Sequence, residues 1–202
     1  REDRIRKERA SANNRRRARR QELMPEIGVD EFADHIKPLV LLALNTGLRR
    51  GDLFDLEWSE VDLELRQIRR VIGKSSHARR KHGKPVENAT LPLSAEAHKI
   101  LVQLHEHRNP ASELVFPSPV SGTRLDNIKK GFAQVLTDAK IESFTFHDLR
   151  HSFASKLVMA GVDLNTVREL MTHSDIRMTL IYAHLSPDHK AAALQKAFGG
   201  AA

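Results

Sequence analysis

The chain of 202 residues contains no cysteine. A disulfide framework, a cysteine-ligated zinc site and a thiol nucleophile are therefore excluded. No apolar run approaches the roughly 20 residues that a membrane-spanning helix needs, and no apolar segment of a secretory signal follows the basic N-terminus. We expect a soluble cytoplasmic protein with one main domain, because this length suits a single well-buried core.

Acidic residues are scarce at the start of the chain. Residues 1–20 contain ten Arg or Lys and three acids, whereas the other 182 residues carry 23 basic and 23 acidic side chains. This arm has almost no apolar residues, which is typical of a solvated or disordered segment that follows a phosphate backbone. A second basic run, residues 66–84, has eight Arg or Lys and no acid. Both runs indicate a polyanionic partner.

Hydrophobic periodicity predicts an α+β fold that is mainly α-helical. Helices are expected over residues 30–46, after Gly51, and over 95–108, 127–139, 143–160, 162–171, 175–185 and 187–198. The first has the apolar stripe of a central buried helix, and Gly47 is a natural C-terminal stop for it. Alternating β-branched residues in "WSEVDLELRQIRRVIGK" and "ATLPLS" predict a small antiparallel sheet with a polar hairpin tip at residues 74–88.

The only tyrosine, Tyr182, lies nine residues after His173. A lone tyrosine ordinarily packs its ring and anchors its hydroxyl. Here, however, His147 and Arg150 stand near a predicted helix start, and Arg49 follows the end of the buried helix. Two arginines, two histidines and one hydroxyl at element ends are what in-line attack on a phosphodiester requires. Guanidinium groups stay charged and donate paired hydrogen bonds to phosphate oxygens.

Four motifs occur in order between about residues 30 and 190. They are "LNTGLRRGDL", "TLPLS", "HDLRHSFAS" and "LMTHSDIRMTLIYAHLS". Together they resemble the catalytic domain of the tyrosine recombinase family, the phage-integrase type of site-specific recombinase, and four motifs at family spacing are a strong signal. The resemblance implies the fold of a tyrosine recombinase (DNA breaking-rejoining enzyme) catalytic core. It also implies metal- and ATP-independent cleavage and religation of DNA through a 3′-phosphotyrosyl intermediate.

The resemblance gives each matching residue an expected role. The implied catalytic residues are Arg49, His147, Arg150, His173 and Tyr182. The tyrosine is the expected nucleophile, the two arginines clamp the scissile phosphate, and the two histidines assist by hydrogen bonding and proton transfer. Asp52 is the acidic residue that supports the first motif, and His151 matches a frequent family residue without an assigned step. Because a clamp acts on the transition state, Arg150→Ala is expected to leave the fold intact.

The family lysine, which protonates the leaving 5′ oxygen, is harder to place in this hairpin. Counting from the first strand favours Lys74, the local pattern "KHGKP" favours Lys81, and counting back from "TLPL" favours Lys84. Extra residues in a hairpin tip disturb a count made across it. We therefore prefer Lys74, with Lys81 next.

The resemblance also sets expectations for the domains and partners. Residues 1–25 are expected to be a basic arm or linker, and residues 26–202 the catalytic domain. The chain begins with Arg, so we expect a fragment that lacks the family's N-terminal core-binding domain. The implied partners are double-stranded DNA, a tetramer of the protein on DNA, and DNA-bending accessory proteins. A prokaryotic or phage-encoded protein of a mobile element, associated with the nucleoid, fits DNA integration. One departure is Thr172, where the family usually has glycine.

Two rival interpretations compete with the recombinase. His147 and His151 are four residues apart, as in HExxH zinc sites, but position 148 is Asp rather than Glu and Arg150 would repel a cation. Alternatively, "VDLNTVRELMTHSDIRMTLIYAHL" is compatible with a helix-turn-helix of a non-catalytic DNA-binding regulator. That interpretation leaves Arg49, His147 and Arg150 without a purpose.

A leaving-group substitution tests the lysine assignment. We predict that Lys74→Ala slows cleavage of ordinary DNA and that a 5′-bridging phosphorothioate, whose leaving group needs no acid, restores the rate. Cleavage rates of both substrates would be compared for Lys74→Ala, Lys81→Ala and Lys84→Ala. Rescue of Lys81→Ala or Lys84→Ala instead would move the assignment to that residue.

Overall fold

The computed structural model describes residues 1–28, 31–72 and 87–186. The helices are α1 (Glu2–Ala18), α2 (Ile36–Thr46), α3 (Arg50–Phe54), α4 (Ala95–Glu106), α5 (Lys129–Ala139), α6 (Phe146–Met159), α7 (Leu164–Leu170) and α8 (Arg177–Leu180). The strands are β1 (Val61–Asp62), β2 (Gln67–Ile72) and β3 (Glu87–Pro92), and two 3₁₀ turns span Trp58–Glu60 and Ala183–Leu185. No helix in these ranges is long and apolar enough to cross a membrane.

Helix α2 forms the centre of the domain and packs against α4 and α6. Its residues Leu39 and Leu42 are fully buried, as the apolar stripe predicts. The helix begins at Ile36 rather than at residue 30, and the Asp34 carboxylate accepts the Ile36 N–H, one of the donors of the first turn, at 3.0 Å. At the other end Gly47 adopts φ +63° and stops the helix, as expected.

Two apolar clusters form beside α2. The larger is built around α2, α3, the sheet, α4 and α5 and includes Leu53, Leu56, Ile68, Leu101 and Phe116. The smaller lies between α6, α7 and the last 3₁₀ turn and consists of Ala154, Val158, Val167, Met171 and Tyr182. The ring of the only tyrosine is therefore part of a packed core, which fixes the direction of its hydroxyl.

The sheet is antiparallel, with the order β1-β2-β3. In this register Ile68 of β2 lies opposite Val61 and Leu91, and Arg70 lies opposite Ala89. Ile68 and Arg70 are two residues apart, so their side chains are on the same inward face. The hairpin tip that contains the three candidate lysines lies outside the described residues.

The sequence predicted a solvated basic arm or linker without assigning it a helix, and residues 2–18 form helix α1. Polar contacts, and not an apolar face, attach this helix to the rest of the domain. Arg1 pairs with Asp34 at 2.5 Å, and Glu2 pairs with Lys37 at 2.7 Å. The buried Asn13 side chain exchanges two hydrogen bonds of 2.9 Å with the Met24 backbone. Acids in the first turn and arginines in the last turn also suit the helix dipole.

The predicted helix over residues 175–185 is shorter than expected. Helix α8 ends at Leu180, and the chain continues through bonds of the i→i+3 type, in which the Tyr182 N–H donates to the Thr179 carbonyl at 3.0 Å and the Leu185 N–H to the Tyr182 carbonyl at 2.9 Å. This tighter winding directs the Tyr182 ring into the smaller apolar cluster.

Gly47 gives a stability prediction with a matched control. A Cβ at this position would overlap the Phe153 ring and lie 3.1 Å from Met171 Sδ, in a left-handed backbone that disfavours side chains. We predict that Gly47→Ala lowers the free energy of unfolding by about 2 kcal/mol or more. Gly51→Ala, where nothing lies within 4 Å, should be neutral or stabilising. Urea unfolding of both variants measures this, and equal effects would contradict it.

Candidate active site

Helix α6 presents three functional side chains from its first two turns. Its N-terminus is fixed by a capping box in which Asp148 accepts the Thr145 N–H at 2.6 Å and the Thr145 hydroxyl at 2.7 Å. These hydrogen bonds lower the pKa of Asp148, so the carboxylate stays ionised at the cap. Because residues three and four apart share a helix face, His147, Arg150 and His151 project together.

Arg150 joins the ends of three helices. It is 3% exposed, and its Nη1 donates to the Gly47 carbonyl at 2.5 Å while Nη2 donates to the Met171 carbonyl. Gly47 ends α2 and Met171 ends α7, so both acceptors are at the negative ends of helix dipoles. Burial, together with the charge of Arg49, lowers the pKa of Arg150 to about 10, and the group remains a cation at neutral pH.

The burial of Arg150 changes one expectation. Its guanidinium was expected to act on the transition state alone, so that Arg150→Ala would leave the fold intact. The hydrogen bonds to Gly47 and Met171 also tie α2 and α7 to α6. Removing the guanidinium would leave two buried carbonyls without this donor, which costs stability as well as charge.

Arg49 approaches the same place from the start of α3. Its Nη1 lies 4.0 Å from Asp52 Oδ2 and donates a long hydrogen bond of 3.5 Å to Thr172 Oγ1. The carboxylate of Asp52 therefore lies beside the Arg49 guanidinium. Thr172 belongs to the turn between α7 and α8, so Arg49 links α3 to the segment that precedes Tyr182.

Thr172 occupies the turn in a left-handed conformation, with φ +53°. The family's usual glycine adopts such a backbone easily, whereas a β-branched residue pays about 1–2 kcal/mol for it. Thr172 therefore keeps the left-handed backbone that glycine would adopt, and it adds a hydroxyl beside Arg49. The backbone N–H of the following His173 donates to the Arg168 carbonyl at 3.0 Å, which fixes the position of the His173 backbone at the site.

His173 is almost fully buried, at 7% exposure. Its Nδ1 is 2.8 Å from the hydroxyl of Thr179, which is itself fully buried. Burial lowers the pKa of His173 to about 4, and the positive charges of Arg150 and Arg49 act in the same direction. The imidazole is therefore neutral at physiological pH and held in one orientation by Thr179.

The hydroxyl of Tyr182 lies against the face of helix α6 that carries His151. The residue is 6% exposed, and its Oη lies 2.5 Å from His151 Nδ1. Burial raises the pKa of Tyr182, whereas the charge of Arg150 lowers it.

The rings of His147 and His151 meet edge to face with centroids 4.8 Å apart. Burial, then His151 and Arg150, lowers the pKa of His147, so it too is neutral at pH 7.

These contacts gather the predicted residues around one site. Arg150 acts electrostatically on His147, His173 and Tyr182, and Arg49 acts on Arg150. The candidate lysines, Lys74, Lys81 and Lys84, lie outside the described residues. In the part of the chain that the structure describes, no group of three or more His, Asp or Glu side chains is arranged to hold a metal ion.

Comparison with known proteins identifies the family. The sequence pattern of the phage integrase family matches residues 20–189. The chain belongs to the phage integrase family. It is 33% identical over 176 residues to the integrase of Salmonella phage P22, covering 80% of this chain and 42% of that protein. It is also 33% identical to tyrosine recombinase XerC of Pseudomonas fluorescens, covering 83% of this chain and 54% of XerC. The chain thus spans about half the length of the curated relatives it matches.

Solved structures agree with the predicted fold of this phage integrase family member. The catalytic domain of bacteriophage HP1 integrase superposes with a TM-score of 0.56 at 27% identity, covering 80% of each chain. The Tn1549 transposon integrase in complex with circular intermediate DNA superposes with a TM-score of 0.61 at 20% identity, covering 79% of this chain and 58% of that one. The mainly helical domain with a small antiparallel sheet is the tyrosine recombinase catalytic fold.

Sequence reasoning missed Arg70, which completes the electrostatics of this integrase-family site. Arg70 is 4% exposed, pairs with Glu60 at 2.8 Å and lies 3.9 Å from Asp52. Asp52 is therefore between two arginines, which fixes it beside Arg49. The available signal was period-two alternation, because Arg70 shares the inward face of β2 with the buried Ile68.

A substitution on each face of β2 tests the importance of this buried cation. We predict that Arg70→Leu lowers the free energy of unfolding by about 3 kcal/mol, because it removes the cation that balances the carboxylates of Glu60 and Asp52. The matched control is the neighbouring Arg69→Leu. Arg69 has a side chain 59% exposed and pairs with Asp62 on the outer face, so its loss should cost less than about 0.5 kcal/mol. Urea unfolding compares the two, and equal losses would contradict the role of Arg70.

Proposed function

We propose that this chain is the catalytic part of a site-specific DNA recombinase, an integrase that cleaves and rejoins double-stranded DNA through a 3′-phosphotyrosyl intermediate. The observation that carries the proposal is the meeting of the Tyr182 hydroxyl with buried Arg150, with Arg49 and with neutral histidines in one site. Relatives support it, since XerH is a site-specific recombinase with structures bound to its difH substrate.

The proposed reaction is an in-line displacement at a DNA phosphate. The Tyr182 oxygen forms a bond to phosphorus, and the bond from phosphorus to the 5′ oxygen breaks. Negative charge develops on the non-bridging oxygens, where Arg49 and Arg150 stabilise it. Two donors of Arg150 are held by the carbonyls of Gly47 and Met171, so its guanidinium plane is already oriented before DNA arrives, and its other N–H groups are the donors that we assign to the phosphate.

The two histidines are suited to donate hydrogen bonds to that phosphate as neutral rings and not to act as additional cations. The lowered pKa values of His147 and His173 keep both rings neutral, so they add donors without adding repulsion to a site that already holds two guanidiniums. With Nδ1 of His173 engaged by Thr179, its Nε2 is the nitrogen left for the phosphate or for a leaving oxygen.

The energy of the broken linkage is kept in the phosphotyrosyl bond, so ligation needs neither ATP nor a metal. A 5′ hydroxyl from a partner strand attacks this bond and releases Tyr182. Exchange of all strands between two sites requires four protomers on DNA, with DNA-bending accessory proteins as further partners. Integration of a mobile element is the biological setting that the relatives favour, because they include a phage integrase and a transposon integrase. The proposed location is the cytoplasm, at the nucleoid.

The alternative, a helix-turn-helix regulator, is less well supported. Helix α7 has seven residues and α8 only four, so the second helix is too short to lie along a major groove with a useful reading face. The segment after α8 places Tyr182 in a core instead of on an exposed surface. A non-catalytic regulator would also not need Arg49 and Arg150 in this site.

Covalent capture tests the proposed function. The probe is a pool of nicked duplexes with a randomised central segment, in which cleavage releases a short strand and traps the protein on DNA. We predict a denaturant-resistant adduct whose sequencing identifies the preferred site. Tyr182→Phe, which keeps the packed ring, should form no adduct, and Arg49→Ala should slow its formation by about 100-fold or more.

The control is the circular dichroism melt of each variant, which should show a cooperative transition close to that of the unchanged chain. An adduct that persists in Tyr182→Phe would contradict the nucleophile. Binding of the pool in a gel shift by both proteins, without any adduct, would favour the regulator.

A further inference from the structure

The hydrogen bond between His151 and Tyr182 has no role in the reaction as described so far. His151 lies on the second turn of α6, one residue after Arg150, and its Nδ1 is 2.5 Å from the Tyr182 oxygen. Their ring centroids are 5.8 Å apart, with planes inclined at 50°. Nδ1 thus meets the atom that has to lose a proton before or during its attack on phosphorus.

We propose that His151 is the proton acceptor for the Tyr182 hydroxyl during DNA cleavage. This proposal rests on the proposed function, because it assigns a further catalytic residue to the same reaction. A general base has to be within hydrogen-bonding reach of the proton that it removes, and the Nδ1 to Oη distance satisfies that requirement without rearrangement.

The other two histidines of the site are placed less well for this step. Nδ1 of His173 is 2.8 Å from the Thr179 hydroxyl, and that contact holds the ring to α8 rather than to Tyr182. His147 meets the edge of the His151 ring, with centroids 4.8 Å apart. In the ranges that the structure describes, His151 is the one residue whose side chain is hydrogen-bonded to Tyr182 Oη.

The surroundings of His151 explain how a transient charge on it is tolerated. The capping carboxylate of Asp148 acts on His151 from the first turn of the same helix. His147 and His173 are neutral, so a proton on His151 does not face a charged imidazole. The cation closest in sequence, Arg150, is bonded to the Gly47 and Met171 carbonyls, and its charge is balanced by the scissile phosphate once DNA is bound.

Proton transfer to His151 accompanies the attack of Tyr182 on phosphorus. The O–H bond of Tyr182 breaks, its electron pair stays on oxygen, and the proton moves to Nδ1 of His151. The oxygen forms the bond to phosphorus, and the leaving 5′ oxygen takes a proton from the proposed lysine or from water. In ligation, His151 returns the proton to Tyr182 as the phosphotyrosyl bond breaks. The proton therefore remains within the site between the two steps.

A DNA-free measurement tests the hydrogen bond itself. Two-bond ¹H–¹⁵N NMR correlation at a pH where the ring is neutral distinguishes which nitrogen of His151 carries its proton. We expect the proton on Nε2, with Nδ1 accepting from Tyr182. Tyr182→Phe should shift the His151 Nδ1 resonance and leave that of the exposed His184 unchanged. A proton on Nδ1 would mean that His151 donates to Tyr182, and would overturn the proposal.

Cleavage of the captured DNA site then separates proton transfer from positioning. His151→Asn places an acceptor oxygen near the position of Nδ1 but cannot take a proton at neutral pH. We expect its adduct to form about 100-fold more slowly or worse, a loss typical of a missing general base. The matched control is His184→Asn, which changes an exposed histidine two residues from Tyr182 and should keep the original rate. A His151→Asn rate equal to that of the unchanged chain would overturn the proposal.

Chemical rescue provides the readout that a structural role would not move. His151→Ala leaves space for an imidazole ring beside Tyr182, and added imidazoles should restore cleavage at rates that rise with their basicity. Absence of rescue, or rescue independent of basicity, would overturn proton transfer. If the unchanged chain forms no adduct with any DNA, the proposed function fails, whereas the NMR result still decides the direction of the His151 hydrogen bond.

Discussion

The hydrogen bonds of Arg150 to the carbonyls of Gly47 and Met171 are the constraint on which the rest of the site depends. They join the ends of α2 and α7 to the start of α6, and a buried guanidinium tolerates this position because the carbonyls it meets carry the negative ends of two helix dipoles. The same group therefore ties three helices together and already has a fixed orientation toward the proposed phosphate. The proposed catalytic role and the structural role therefore coincide at this residue.

Charge balance explains why Arg49 and Arg70 can both lie beside Asp52. Asp52 lies 4.0 Å from Arg49 and 3.9 Å from Arg70, and Arg70 is paired with Glu60 at 2.8 Å. The alternation of cation and anion reduces the repulsion that would otherwise destabilise the site, and among the described residues no carboxylate lies at hydrogen-bonding distance from Arg150. The proposed phosphate would supply the anion that this arrangement lacks.

The backbone shows the cost of bringing these groups together. Gly47 and Thr172 both adopt left-handed conformations, at φ +63° and φ +53°. Glycine does so without a side-chain penalty, whereas threonine is strained there, and such strain persists only where the surrounding contacts fix the turn. At Thr172 those contacts include the hydroxyl beside Arg49 and the His173 backbone bond to Arg168. The strain at Thr172 therefore lies beside Arg49 and His173.

The sequence by itself determined the order of helices α2 to α8, the sheet and the set of candidate site residues, because period, capping residues and motif spacing are local features. It predicted the stop of α2 at Gly47, which adopts φ +63°. Only the tertiary structure decided that residues 2–18 form a helix, since ion pairs to distant residues hold it. It alone placed Arg70 beside Asp52 and His151 against Tyr182, because contacts between residues far apart in sequence depend on how helices and strands pack, which no local pattern records.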